Sequence, residues 1–319
     1  LMLPLLVLFF GCAQNHFNVP EGNFADRVKV LGVAPIVVDT GSDIKHPQKE
    51  QLIALVAEMN RKYEPQFVRK LKEGGNFYRV SSLYGDPQAI LGSLLFRHEK
   101  RNDASIDYTK YFWKNDELRE FIRKNGLDAV MLIVVSGLSK TENISSSTLM
   151  TSLTSEYNYL IMTAQILDAN GTVLWEYPNF RGRLLNYNPM INLQYPDFSE
   201  AEANVSEKAD VKFKTIEGIK RRFEVKRKDL LLRDTQESDV YSSQFDEMLS
   251  FLKFEPSKTK KSPPESVITP ASAEQFRPAT APVPPMDPIA VPASSAKSSV
   301  GEAVSPPSDE IVPASGSTK

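Results

Sequence analysis

Cysteine is nearly absent from this chain. Cys12 is the only one in 319 residues, so no internal disulfide can form and no zinc site can rest on paired thiolates. Histidine is scarce too: His16, His46 and His98 share no i,i+4 spacing and have no cysteine partner, so no metal site is expected. Charge of one sign is not in excess. A net charge of -2 supplies no strong field for a polyanion, and no nucleic-acid partner is expected. No Gly-x-Gly-x-x-Gly or Walker-type loop occurs, so no nucleotide or other cofactor is expected. Long apolar runs are missing as well. A spanning helix needs about 20 apolar residues, and the longest run here is about half of that.

Two short patterns touch known chemistry without completing it. Ser42-Asp43-Ile44-Lys45 fits the Ser-x-x-Lys pattern of penicillin-recognising enzymes, but Ser-Asp-Asn and Lys-Thr-Gly do not follow. A turn in which Asp43 caps a helix accounts for it better. Asp168-Ala169-Asn170-Gly171 has the opening of a calcium loop, yet its glycine stands fourth where such a loop needs it sixth. A hairpin turn explains those residues. No catalytic residue is therefore assigned, and an enzyme is not expected.

What is present begins at the N-terminus. The apolar run from Leu3 to Phe10 ends in Gly11 and then Cys12. Its length suits a signal-peptide core of about 7–15 residues. A small residue directly before a cysteine resembles the processing site of bacterial lipoproteins. That resemblance implies that Cys12 becomes a lipidated N-terminus, held stably because two or more acyl chains anchor where one is marginal. Two other readings stand beside it: a buried N-terminal strand with an incidental cysteine, and ordinary cleavage near Gly11. Ala13, where an Asp would signal inner-membrane retention, implies by resemblance to proteobacterial sorting an outer-membrane anchor facing the periplasm or the cell surface.

The remaining chain divides by composition. Residues 1–11 read as signal peptide, 12–25 as a tether and 26–198 as an α/β core domain. Residues 199–255 read as a helical extension, in which Lys212 to Lys228 is rich in cations. Residues 256–319 form a Pro/Ser/Ala-rich tail, too poor in apolar surface to offset its ordering entropy and expected to be disordered. Within the core, Arg27 to Asp39 reads as a strand with a bulge or edge at Pro35. Lys49 to Glu73 reads as a helix, kinked or split at Pro65, because Leu52, Val56, Met59, Tyr63, Phe67 and Leu71 recur at helical spacing. Phe77 to Leu83 is a second strand, and Asp86-Pro87 opens a helix. His98 to Asp107 is polar and reads as a loop; Asn115 to Ile122 is a short helix stopped by Asn125-Gly126. Leu127 to Val135 is a β-branched apolar run fit for a central strand. Ser139 to Ser155 is Ser/Thr-rich and reads as a loop or a ragged strand pair. Tyr157 to Tyr177 reads as a hairpin turning at Asp168 to Gly171.

That order gives an α/β (α+β) fold, a mixed sheet of about five strands flanked by helices. Four passages carry a resemblance: Val30-Leu31-Gly32-Val33-Ala34-Pro35, Phe77-Tyr78-Arg79-Val80, Leu127-Asp128-Ala129-Val130, and the hairpin Leu167-Asp168-Ala169-Asn170-Gly171-Thr172-Val173-Leu174-Trp175. They resemble the α/β domain of envelope lipoproteins such as the curli-secretion channel lipoprotein, the N-terminal domain of the Tol-system translocation protein, and the activators of penicillin-binding proteins. The resemblance implies a lipid-anchored, non-catalytic binding or scaffolding role towards an envelope protein or peptidoglycan. An oligomeric secretion component and a hydrolase with a dispersed site stand as alternatives.

Overall fold

The computed structural model describes residues 16–74, 76–102, 106–145, 152–180, 188–195, 211–228, 231 and 233–254. Residues 1–11, read from the sequence as a signal peptide, Cys12 and residues 256–319 fall outside the described residues. β1 (Val30–Val33) lies one strand in from an edge of the sheet. It pairs in parallel with β3 (Arg79–Ser82) on one side and with β6 (Ala129–Ser145) on the other. A two-residue continuation, β2 (Val37–Val38), also runs parallel to β6. Val33 stands opposite Met131 but Val37 opposite Val134, so one extra residue sits on the first strand around Pro35. That is the expected bulge.

Beyond β6 the sheet turns antiparallel. On one side come β5 (Ile106–Trp113) and then β4 (Leu95–Arg101); on the other comes β7 (Ser152–Asp168), which carries β8 (Val173–Tyr177) and β9 (Ile191–Asn192). The nine-stranded mixed sheet belongs to the expected class but is larger than the five strands expected. Alternation along β6 makes two cores. Met131, Ile133 and Val135 face one layer, Val130 and Leu132 the other, and all are buried.

The first layer holds α2 (Lys49–Glu73), whose buried stripe includes Leu52, Met59, Phe67 and Leu71. Pro65 lacks the N–H that would reach the Arg61 carbonyl, yet α2 runs through it unbroken. The apolar stripe on either side of Pro65 is packed on the sheet, and that packing outweighs one lost bond. On the opposite layer lie α3 (Pro87–Leu94) and α4 (Asn115–Lys124), which bury Leu94, Leu118 and Ile122.

Three expectations are corrected, and of the two readings of Ser139 to Ser155 the strand pair is the one seen in the described part. The loop at His98 to Asp107 is, in its described part, the end of β4, an edge strand, and the start of β5. Edge strands can be charged because only one side and one face need cover, so His-Glu-Lys-Arg gives no strand signal. The Ser/Thr-rich stretch prolongs β6 and β7 in a ladder reaching Ser145 opposite Ser152, since backbone pairing needs no apolar side chain. The tether is partly core: Phe17 is buried, and α1 (Glu21–Arg27) buries Phe24 completely. The helical extension contains α5 (Ile216–Glu224), an antiparallel ribbon of β10 (Lys226–Lys228) with β11 (Asp234–Ser238), and α6 (Asp239–Phe251). Phe223, Tyr241, Phe245 and Met248 of that region join the same core as α2.

Candidate functional site

The crossover from β1 through α2 to β3 lies on one layer, and the return from β3 through α3 and α4 to β6 lies on the other. Connections that diverge from one strand leave a crevice at the carboxyl ends of the parallel strands, where α/β sheets commonly bind ligands. A cleft of about 550 Å³ opens there. Its floor includes Ile36 and Val68; its far wall is the turn from Ser82 to Asp86, leading into α3. Asp86 caps α3 by accepting from the N–H groups of Gln88 and Ala89, both at 3.3 Å. Gln88 Nε2 donates to the Val38 carbonyl at 2.7 Å and ties α3 to β2.

The near wall is one flank of α2. Arg61, Glu64, Pro65, Val68, Arg69 and Lys72 follow at steps of three, one, three, one and three, which keeps them on one side of the helix. Arg69 pairs with Glu237 at 2.7 Å and with Glu73 at 3.7 Å. Arg61 and Lys72 form no ion pair among the described residues and stand exposed. Glu64 is turned inward and accepts from the Ile36 N–H at 3.0 Å. Burial pushes its carboxyl above the ordinary value, and the Ile36 bond offsets this only in part. Tyr84, 92 % exposed, stands at the cleft mouth. Cations, an exposed phenol, an amide and an apolar floor are the means of holding a ligand with negative groups.

Glu64 yields a testable pH dependence. Its folded value is raised, so the folded state holds the proton more firmly than the unfolded chain. Stability therefore falls as pH rises from the ordinary carboxylate value, about 4.3, through the raised one. Glu64→Gln keeps an oxygen for Ile36 and removes the charge. The urea midpoint of this variant is expected to match the parent below about pH 4 and to exceed it at pH 7.

A second polar group lies at the end of β2. Asp39, nearly buried, accepts from Tyr111 Oη at 2.8 Å and from the Gly41 N–H at 2.9 Å, and His98 Nδ1 lies 3.1 Å from it. Burial, reinforced by the Asp39 charge, pushes the Tyr111 phenol well above its ordinary value, so it remains a donor. The arrangement pins the β4–β5 hairpin to the loop after β2.

The residues singled out in the sequence are not brought together. His16 lies buried against Phe251, ring centroids 4.1 Å apart. His46 Nε2 lies 2.9 Å from the Lys214 carbonyl. His98 is on β4 and faces Asp39. Ser42 Oγ donates to the Asp39 carbonyl at 2.6 Å and accepts from the Gly137 N–H at 3.3 Å, while Lys45 pairs with Glu156 and Asp43. Asp168 organises its turn by accepting from Asn170 and Thr172, and pairs with Arg27. The cation-rich stretch is partly engaged internally, Arg222 with Asp239 and Arg227 with Asp246. Cys12 lies outside the described residues. Among the described residues no helix is long and apolar enough to cross a membrane.

Sequence reasoning missed the cleft because Arg61, Arg69 and Lys72 look like the solvated face of an amphipathic helix. The available signal was Pro65 on that face, where an ordinary solvated helix has no need of proline. Comparison with protein-family models, curated proteins and solved structures finds no match.

Proposed function

We propose that this chain is a lipid-anchored, non-catalytic binding protein of the bacterial cell envelope, holding another envelope component in the cleft between α2 and the carboxyl ends of β1 and β3. One observation supports this reading most: two unpaired cations, Arg61 and Lys72, line a cleft at the place where α/β sheets take ligands. The anchor is Cys12, and the partner is a protein or peptidoglycan. A photoreactive side chain in place of Tyr84, illuminated in cells, is expected to capture an envelope component identifiable by mass spectrometry; capture of nothing but solvent would end this reading. Intact mass of the chain expressed with its leader tests the anchor, which an unmodified and unprocessed Cys12 would sink.

A second reading, an oligomeric assembly component, draws on the arm formed by β6 and β7. From Thr141 opposite Glu156 to Ser145 opposite Ser152 these strands pair only with each other among the described residues. A monomer by light scattering in mild detergent would count against it.

A further inference from the structure

We infer that the cleft is a strand-addition site: it takes an extended, acidic peptide segment of a partner protein, paired to the outer edge of β3 beneath the cations of α2. This deepens the binding role proposed above and rests on it. Among the described residues β3 pairs with β1 alone and ends its side of the sheet. The Arg79 N–H donates to the Lys29 carbonyl at 3.1 Å and the Leu83 N–H to the Val33 carbonyl at 2.9 Å. Backbone groups along a strand alternate sides, so those of Val80 and Ser82 point away from β1, toward the outer edge. An unpaired edge is a ready template for a further strand, and natural sheets usually protect theirs.

The side chains agree. Val80 and Ser82 share the side of the strand that faces α2, since Val80 is packed in that core, and Tyr78 and Tyr84 flank the strand. The two tyrosines at the ends are 87 % and 92 % exposed. Large rings left in water at both ends of a four-residue strand offer contact area at low entropic cost.

Charge and length select the occupant. Arg61 and Lys72 line the cleft with no ion pair among the described residues, while Arg69 between them is held by Glu237 and Glu73; the carboxylates facing the cleft are Glu64, which is turned inward and biased toward its neutral form, and Asp86, which caps α3. The balance favours acid. From Arg61 to Lys72 the helix rises about 16 Å, the length of about five residues of strand. Alternate residues of an added strand face α2, so a segment with carboxylates at every second position sets one near Arg61 and another near Lys72.

The test uses the full chain in mild detergent and a fluorescein-labelled peptide, Thr-Glu-Val-Glu-Val-Glu-Thr, followed by anisotropy. Binding is expected for this peptide and not for its Lys-for-Glu counterpart. The paired variant Arg61→Glu, Lys72→Glu is expected to weaken it more than about tenfold, with folding verified by circular dichroism. Two further peptides carry backbone N-methyl groups, one on the glutamates and one on the valines. Strand addition requires that one of them lose binding and the other keep it, because only one alternation faces β3. Equal behaviour of the two would overturn strand addition while leaving the cleft a charge-selective binding site. Failure of every peptide, with binding of an acidic muropeptide instead, would overturn the peptide occupant but not the cleft. Failure of all probes together with no capture at Tyr84 would remove both readings.

Discussion

Phe245→Ala is expected to destabilise the whole described domain, by about 3–5 kcal/mol, and not the C-terminal helix alone. Phe245 is fully buried, with its ring 4.9 Å from Phe67 of α2 and 5.7 Å from Tyr241. The same helix is tied once more to α2 and once to the sheet. Tyr241 Oη donates to Asn60 Oδ1 at 2.7 Å, and Trp175 Nε1 donates to the Phe251 carbonyl at 3.0 Å. Truncating the ring leaves a cavity between α2 and α6 that neither helix can close without leaving the sheet, which is where the cost of such substitutions arises. The check is urea unfolding followed by far-ultraviolet circular dichroism and by tryptophan fluorescence, to which Trp175 beside the end of α6 and Trp113 on β5 both contribute. Both signals are expected to shift together to lower urea. An early, separate helical transition with the tryptophan signal unmoved would mean that α6 is an appendage after all.

Gly137→Ala is expected to cost at least about 2–3 kcal/mol for the addition of a single methyl group. An added Cβ would lie 2.2 Å from the carbonyl oxygen of Asp43 and 2.5 Å from its carbon, where the loop after β2 crosses the middle of β6. These are backbone atoms, which cannot rotate aside as a side chain can. The loop must lift, and with it go the Gly137 N–H bond to Ser42 and the seat of Asp39 against Tyr111 and His98. Two measurements separate this account from generic destabilisation: the urea midpoint, and the imidazole resonance of His98, which is expected to move. Gly92→Ala in α3 is the control. Nothing lies within 4 Å of its added Cβ, and alanine favours a helix, so it is expected to be neutral or stabilising by up to about 1 kcal/mol. Equal losses at the two glycines would contradict the steric argument.

The fold class was legible because its signals are local and strong. Lys49 to Glu73 repeats its apolar side chains at 3.6 residues, and the run beginning at Ala129 is β-branched and apolar. The turn at Asp168 to Gly171 places glycine where φ is +76°. Polar strands were illegible. His98 to Arg101 and Ser139 to Ser145 are held by backbone pairing to neighbours that only the fold supplies, and a ladder leaves no mark on side-chain chemistry. The cleft was illegible for a related reason. Arg61 and Lys72 follow ordinary helical spacing, and their setting depends on β3 arriving beside them from a different part of the chain.

Sequence alone therefore determined the α/β class, the core of α2 and β6, and the processing-site resemblance around Cys12. Each is a property of neighbouring residues and of the period at which apolar groups recur. Tertiary structure alone decided that the C-terminal helices complete the core, that Phe17 and Phe24 are buried rather than tethering, and that Arg61 and Lys72 line one cleft with Ser82 and Tyr84. Those outcomes depend on contacts between segments far apart in the chain, such as Asn60 with Tyr241, 181 residues away, and such contacts are set by chain topology, which local periodicity does not encode.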